Sequence, residues 1–252
     1  NWKFTNYRKD KDAIEAKLLK ISKKFTIKKV IVDARDTSTN LIDGVILENF
    51  DYVIKREKNK SISNNKYLST ILPCKLIDYN INRNKEIINW GNIGNDKPND
   101  FTNYDIFFSG QQSSKFRDEL IEFLKSKKYK FFGRAEDSKI PFREYLKTIY
   151  DSSINLALEG KGEFTFRHLE ILANCSFMLC ESSINQLELP IPLIDGKHFV
   201  SFEGKEDLIG KIDFYLKNKK LRNEIALNGR KVLENHYSPK KHGEFLISKI
   251  FT

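Results

Sequence analysis

Residues that could bind an anion are concentrated in one short stretch of this 252-residue chain. Gly160 and Gly162 leave backbone N–H groups accessible, and Thr165 is a typical N-cap for a helix that begins after it. The N-terminus of such a helix attracts negative charge. Arg167 and Glu170 lie three residues apart, so they share one face of the helix. The arginine and the turn could therefore hold a pyrophosphate while the glutamate accepts from ribose hydroxyls. An exposed Arg–Glu ion pair is an equally weighted alternative.

The segments on either side of this turn predict the β-α-β unit that positions it. Residues 154–158 and 176–180 are short apolar runs typical of buried strands, and Phe166–Ala173 has helical spacing. Ligands bind at the carboxyl ends of the strands in open α/β sheets. The turn is expected at that edge of the sheet.

The rest of the chain predicts an α/β protein of two domains. Strands alternate with helices over residues 104–252, which is typical of a doubly wound parallel sheet. Residues 89–103 are rich in Asn, Asp, Gly and Pro and read as a linker, so we expect a smaller α/β domain over 1–103. The polar residues 56–66 predict a solvated loop. The last helix, within 239–251, is a candidate to pack back on the N-terminal domain.

Composition narrows the possible settings and partners. The net charge is +10. If the lysines were clustered, they would neutralise phosphates, and nucleic acid would be the expected partner. The lysines are instead scattered, so we favour a compositional origin and expect no nucleic-acid partner. No stretch approaches the ~18 apolar residues that span a bilayer, and no secretory segment opens the chain. We expect a cytoplasmic protein with reduced cysteines. The only methionine is Met178, which indicates a piece of a longer protein.

Acids and histidines outside the turn give weaker signals. Asp33 and Asp36 follow a predicted strand, and either could be the general base for an acceptor hydroxyl; a helix cap or turn residue is the favoured alternative. His168 adjoins Arg167 and could donate to a phosphate or sugar, or be a structural histidine. The four histidines are dispersed, and no Asp-x-Asp triplet occurs, so no metal site is predicted.

Residues 162–173, Gly-Glu-Phe-Thr-Phe-Arg-His-Leu-Glu-Ile-Leu-Ala, resemble the GEFTxRxxEILA signature of the CgeB-like, group 1 glycosyltransferases. Segments 107–112, 192–202, 206–216, 228–230 and 236–239 follow in the order of that family. The resemblance is strongest over 104–252 and looser over 28–60.

The family is similar to other GT-B enzymes, so the resemblance implies two Rossmann-like domains with parallel sheets that face each other across a cleft, the N-terminal one reduced. It implies that Glu170 binds the ribose, that Arg167 and the turn bind the diphosphate, and that the loop 133–141 holds the base. Many GT-B enzymes carry two glutamates separated by seven residues. Here the position matching the first is Gly162, and Glu163 has no assigned role. The implied nucleotide-sugar-binding residues are Gly110, Gln111, Arg117, Gly162, Phe164, Thr165, Arg167, His168 and Glu170.

The sequence and the resemblance together predict a metal-independent glycosyltransferase that moves a hexosyl or deoxyhexosyl group. The expected donor is a UDP- or GDP-sugar, and no further cofactor is expected. The acceptor would be a hydroxyl of a glycan or glycoconjugate, with other domains of a longer parent chain as possible partners. The alternative is a non-catalytic module that binds nucleotide or glycan.

Overall fold

A computed structural model describes residues 11–23, 27–33, 38–39, 41–70, 95, 97–110, 115–135, 140–237 and 239–251. Asp36, Gln111, and the short strand predicted within 71–79 lie outside these residues. The other predicted site residues lie within the described part of the chain.

The smaller sheet has three parallel strands in the spatial order β1–β2–β4. These are β1 (Val30–Asp33), β2 (Tyr52–Lys55) and β4 (Tyr67–Ser69). Helix α1 (Lys11–Ser22) precedes β1, and α2 (Gly44–Glu48) connects β1 to β2. The carboxyl ends of β1 and β2 meet at one edge, where Asp33 aligns with Lys55.

The larger sheet has five parallel strands in the spatial order β10–β8–β7–β5–β6. These are β5 (Tyr104–Gly110), β6 (Phe131–Ala135), β7 (Ser152–Ala157), β8 (Met178–Glu181) and β10 (Val200–Phe202). Gly133 lies in β6 rather than in the predicted loop 133–141. This parallel order agrees with the predicted doubly wound sheet.

Helices cover both faces of the larger sheet. They are α3 (Lys115–Lys125), α4 (Phe142–Tyr150), α5 (Phe166–Ala173), α6 (Gly204–Lys217) and α7 (Lys219–His236), and the last helix of the chain is α8 (Pro239–Phe251). Ile106 and Phe108 of β5 join the apolar cluster that contains Leu120 of α3, whereas Phe107 joins the cluster that contains Leu169 of α5. Apolar residues of the central strands thus pack on both faces of the sheet, as in a buried parallel sheet. Among the described helices, none is long and apolar enough to cross a membrane.

A two-stranded antiparallel ladder joins the two parts of the chain. Strand β3 (Lys58–Asn59) pairs with β9 (Leu187–Glu188), which follows the 3₁₀ helix Ser182–Gln186. The prediction of a solvated loop over 56–66 is therefore wrong for Glu57, Lys58 and Asn59, which are buried. Each of these side chains has a polar partner, for example Glu188 Oε2, which lies 2.7 Å from Lys58 Nζ. The polar composition of this segment predicted exposure to solvent, because the partners that bury it are more than a hundred residues away in the sequence.

Candidate functional site

The turn that precedes α5 begins at the carboxyl end of β7, as the sequence predicts. The Gly160 N–H donates to the Gly162 carbonyl at 3.0 Å, which closes the turn. Thr165 is the N-cap of α5, and its backbone N–H donates to Nδ1 of His168 at 3.1 Å. The backbone N–H groups in the first turn of α5 thus lie next to a glycine-containing loop. This geometry is suited to binding an anion.

His168 has a structural position in this turn. Its ring is 1% exposed and stacks on Phe164, with 4.8 Å between the ring centroids. Burial lowers the pKa of His168 to about 3, so the ring is neutral at physiological pH. The burial of the ring argues against the predicted contact from His168 to a phosphate or sugar, and Nδ1 accepts the capping N–H. Phe164 is also buried, so only its backbone faces the turn.

Arg167 is placed between the turn and the end of β5. One Nη2–H donates to the Ser109 carbonyl, and the guanidinium lies 4.5 Å from the centroid of the Phe108 ring. A Cβ added to Gly110 would lie 2.6 Å from Nη2 of Arg167, so only glycine permits this approach. The Nε–H of Arg167 is buried and has no hydrogen-bond acceptor among the described residues. The arginine is therefore fixed in place and still has one donor to offer.

Glu170 lies one turn further along α5 and is held by a tyrosine. The hydroxyl of Tyr145 donates to Glu170 Oε2 at 2.9 Å, and Glu170 is 9% exposed. Burial and the charge of Glu170 raise the pKa of Tyr145 well above its usual value, while Arg167 opposes them. Tyr145, Arg167 and Glu170 thus form one cluster. Tyr145 was not predicted, since its place in α4 carries only a helical apolar pattern.

Arg117, another of the implied nucleotide-sugar-binding residues, supports the end of β7. Its Nη2 donates to the carbonyls of Leu158, at 3.1 Å, and Glu159. Burial, with a smaller contribution from the charge of Arg167, lowers the pKa of Arg117 to about 10, so the side chain keeps its charge at neutral pH. Two guanidinium groups therefore lie near the turn.

The N-terminal part contributes an acidic contact that sequence reasoning missed. Glu57 Oε2 accepts from the backbone N–H groups of Glu163, at 3.0 Å, and Phe164, at 3.4 Å. The hydroxyl of Ser38 donates to Glu163 Oε1 at 2.6 Å. The loops after β1 and β2 therefore face the turn before α5 directly. Glu57 lies in a segment without apolar periodicity, so the sequence carried no signal for it.

Asp33, one of the two predicted base candidates, is in a buried ion pair. Its Oδ2 lies 3.2 Å from Nζ of Lys55, and both side chains are almost completely buried. This pair lies at the carboxyl edge of the smaller sheet, on the side that bears Ser38 and Glu57. Among the described residues, no group of three or more His, Cys, Asp or Glu side chains could hold a metal ion.

A cavity of about 490 Å³ lies at the opposite edge of the smaller sheet. It is lined in part by Lys28, Lys66 and Tyr52. Lys66 Nζ already donates to the carbonyls of Leu47 and Phe50, at 2.9 and 2.8 Å. Because these groups stabilise the fold itself, the turn before α5 remains the better candidate for ligand chemistry, despite the size of the cavity.

The chain belongs to the glycosyl transferase-like family whose profile matches residues 116–248. This match covers the turn, α5 and the clustered arginines, and it agrees with the glycosyltransferase resemblance of the sequence. No curated protein matches the chain.

Several solved structures have a similar fold. A mutant of Staphylococcus aureus TarM, in complex with fondaparinux, alpha-GlcNAc-glycerol and UDP, is 13% identical over 89% of this chain and 51% of that one, with a TM-score of 0.56. A glycosyltransferase from Rickettsia africae is 14% identical over 100% and 84%, with a TM-score of 0.54. An alpha-glucosyltransferase in complex with UDP and a 13-mer DNA is 10% identical over 94% and 76%, with a TM-score of 0.53.

This likeness shows the GT-B fold, with a reduced N-terminal part. The chain spans about half the length of TarM.

Proposed function

We propose that this chain transfers a sugar from a nucleoside-diphosphate sugar to a hydroxyl of a glycan or glycoconjugate. The turn before α5 is the donor site in this proposal. The observation that carries it is the buried Nε–H of Arg167, which has no acceptor among the described residues. A buried unpaired donor on a cation is costly unless a ligand completes it.

The other contacts of the donor site follow from the same cluster. A diphosphate would accept from Arg167 and from α5 amides, and Arg117 would add positive charge nearby. Glu170, held by Tyr145, would accept from the ribose hydroxyls. UDP is the preferred nucleotide, because structures with this fold have been solved with UDP, and GDP is the second choice. The group that we propose is transferred is a hexosyl or deoxyhexosyl group.

The two guanidinium groups also bear on the chemistry. The charge that develops on the leaving diphosphate would be stabilised by Arg167 and the helix amides, without a metal ion. Asp33 and Asp36 are the proposed candidates for the base that takes the proton of the acceptor hydroxyl, and of the two only Asp33 lies within the described residues. A retaining reaction would need no such base.

The proposed setting is the cytoplasm, and a glycan rather than a nucleic acid is the proposed acceptor. The buried free thiols of Cys175 and Cys180 support a reducing compartment. A salt-dependent binding of DNA or RNA would count against the acceptor assignment.

A nucleotide-binding module without turnover is the second candidate, because the chain spans only about half the length of TarM. Hydrolysis of UDP- and GDP-sugars, measured as release of the nucleoside diphosphate, separates the two. Turnover supports the transferase, whereas nucleotide binding without turnover supports the module.

The donor site is tested by calorimetric titration with UDP and GDP. We expect one nucleotide to bind and Arg167→Ala to weaken it about 10- to 100-fold, as loss of a charged hydrogen bond of about 1.5–3 kcal/mol predicts. Arg143→Ala removes the same charge from an exposed position of α4 and should leave affinity unchanged. Equal losses in the two variants, or no binding of either nucleotide to the parent chain, would reject the donor site.

A further inference from the structure

Glu57 belongs to the N-terminal part but binds the backbone of the donor turn. Its side chain is 1% exposed, and Oε2 accepts from two consecutive N–H groups, those of Glu163 and Phe164. Consecutive N–H groups that converge on one oxygen form a small anion-binding nest. The chain thus fills this nest with a carboxyl group from more than a hundred residues away.

The position of Glu57 is fixed by its neighbours in the chain. Lys58 follows it directly and begins β3, which is paired with β9. The Lys58–Glu188 ion pair at 2.7 Å and the bond from the Lys60 N–H to the Gln186 carbonyl at 2.8 Å hold this segment against the larger sheet. Glu57 is therefore held in place by contacts other than its bonds to the turn, so it can impose a conformation on the glycine-containing loop.

A second carboxyl group lies beside Glu57. Glu163 Oε1 accepts from Ser38, while Oε2 of Glu163 and Oε1 of Glu57 accept no hydrogen bond from any described residue. Two adjacent carboxylates repel each other, and a proton on the buried Glu57 removes one charge and supplies an O–H donor. An ion pair with Glu57 comes from its own loop: Arg56 Nε lies 3.6 Å from Oε1.

We propose that Glu57 is a positioning residue that holds the donor turn from across the cleft, and that it does so most firmly when the Glu57 carboxyl is protonated. This inference rests on the proposed function, since it takes the turn before α5 as the donor site. Glu57 acts through the backbone of the turn and need not touch the substrate.

The direction of the pH effect follows from the groups that face Glu57. Burial, and then the hydrogen bond with the carboxyl of Glu163, raise the pKa of Glu57 from 4.5 to about 7, while Arg56 and the Phe164 N–H oppose them. Burial therefore favours the neutral carboxyl in this position, so the contribution of Glu57 to stability is full below about pH 4.5 and is lost as pH rises through about 7. Above that pH the second negative charge also repels a diphosphate.

The first test reads the turn without any nucleotide. The amide ¹H and ¹⁵N shifts of Glu163 and Phe164 are followed by NMR between about pH 5 and 9. We expect both to titrate with a midpoint near 7 in the parent chain and to lose this transition in Glu57→Gln, which keeps the acceptor oxygen and removes the titration. Flat amide shifts in the parent chain, or an unchanged transition in Glu57→Gln, would overturn the inference.

The second test measures UDP affinity at about pH 6 and 8.5. The parent chain should bind at least about fivefold more weakly at the higher pH, and Glu57→Gln should bind equally at both. Glu57→Ala should bind about tenfold more weakly even at pH 6, because the turn loses its support. A Glu57→Ala affinity equal to that of the parent chain would contradict the positioning role.

Two control variants assign the pH effect to its group. Glu181 is a half-buried carboxyl whose pKa is also raised to about 7, mainly by desolvation, and its Oε2 accepts from the Glu159 N–H. If Glu181→Gln removes the pH dependence and Glu57→Gln does not, the effect belongs to Glu181. The exposed Glu122→Gln, on α3, should change nothing. If UDP fails to bind at any pH, the proposed function fails, while the amide titration still decides the role of Glu57.

Discussion

The two sides of the cleft are built in opposite ways. On the C-terminal side, Arg167 and Glu170 come from one eight-residue helix and are positioned by the spacing of that helix. On the N-terminal side, Ser38 and Glu57 come from separate loops, and each bonds to a residue more than a hundred positions away. The first arrangement is local in sequence, whereas the second exists only in the folded chain.

The cores of the two sides differ in the same way. The central strand β7 of the larger sheet is buried along its whole length, and its apolar residues pack on both faces. The smaller sheet buries Lys55 completely and pairs it with Asp33. Apolar packing tolerates small shifts, but a buried ion pair requires both partners. The N-terminal side should therefore be the more sensitive to single substitutions.

The largest expected effect tests this sensitivity. Lys55→Met leaves the Asp33 carboxylate buried without its cation, so the free energy of unfolding should fall by about 3–5 kcal/mol in urea titrations. Adding Asp33→Leu should restore most of the loss, since an apolar pair replaces the ionic one. Lys211→Met breaks the half-exposed pair with Asp207 in α6 and should cost less than about 0.5 kcal/mol. A comparable loss at Lys55 and Lys211 would remove the distinction between the two sides.

Gly110→Ala should affect the donor side without unfolding it. The new Cβ would lie 2.6 Å from Nη2 of Arg167, at the flexible end of that side chain, so the guanidinium should move. UDP affinity should fall about five- to tenfold, or about 1–1.4 kcal/mol, with little change in melting temperature. Gly210→Ala is the matched control, because its Cβ would meet nothing within 4 Å. An unchanged affinity for Gly110→Ala would mean that the orientation of Arg167 does not matter.

The smallest expected effect concerns the support of Glu170. Tyr145→Phe removes the hydroxyl that donates to Glu170 Oε2, and UDP affinity should fall by no more than about fivefold, as the loss of one hydrogen bond of about 1 kcal/mol predicts. Tyr129→Phe removes a similar bond, to Asp213 at 2.8 Å, away from the turn and should leave affinity unchanged. Equal effects of the two variants would show that Tyr145 supports only the fold.

The same contrast determines what could be predicted from the sequence. The doubly wound sheet, helix α5 and the Thr165 N-cap follow from apolar periodicity and capping chemistry, which act over a few residues. The ladder between β3 and β9 and the burial of Glu57 do not, because their stabilising partners are distant in sequence. Histidine is a common ligand-binding residue, so the sequence left a binding role open for His168. Its role in the capping contact depends on its packing against Phe164, which the sequence does not show.

The central claim is that the turn before α5 binds a nucleoside diphosphate, and a crystal structure with UDP and GDP soaked separately tests it most directly. We predict one nucleotide with its diphosphate against Arg167 and the first amides of α5, and with its ribose hydroxyls on Glu170. A nucleotide bound elsewhere, for example in the cavity beside Tyr52, or no bound nucleotide in crystals where the turn is accessible, would contradict the account.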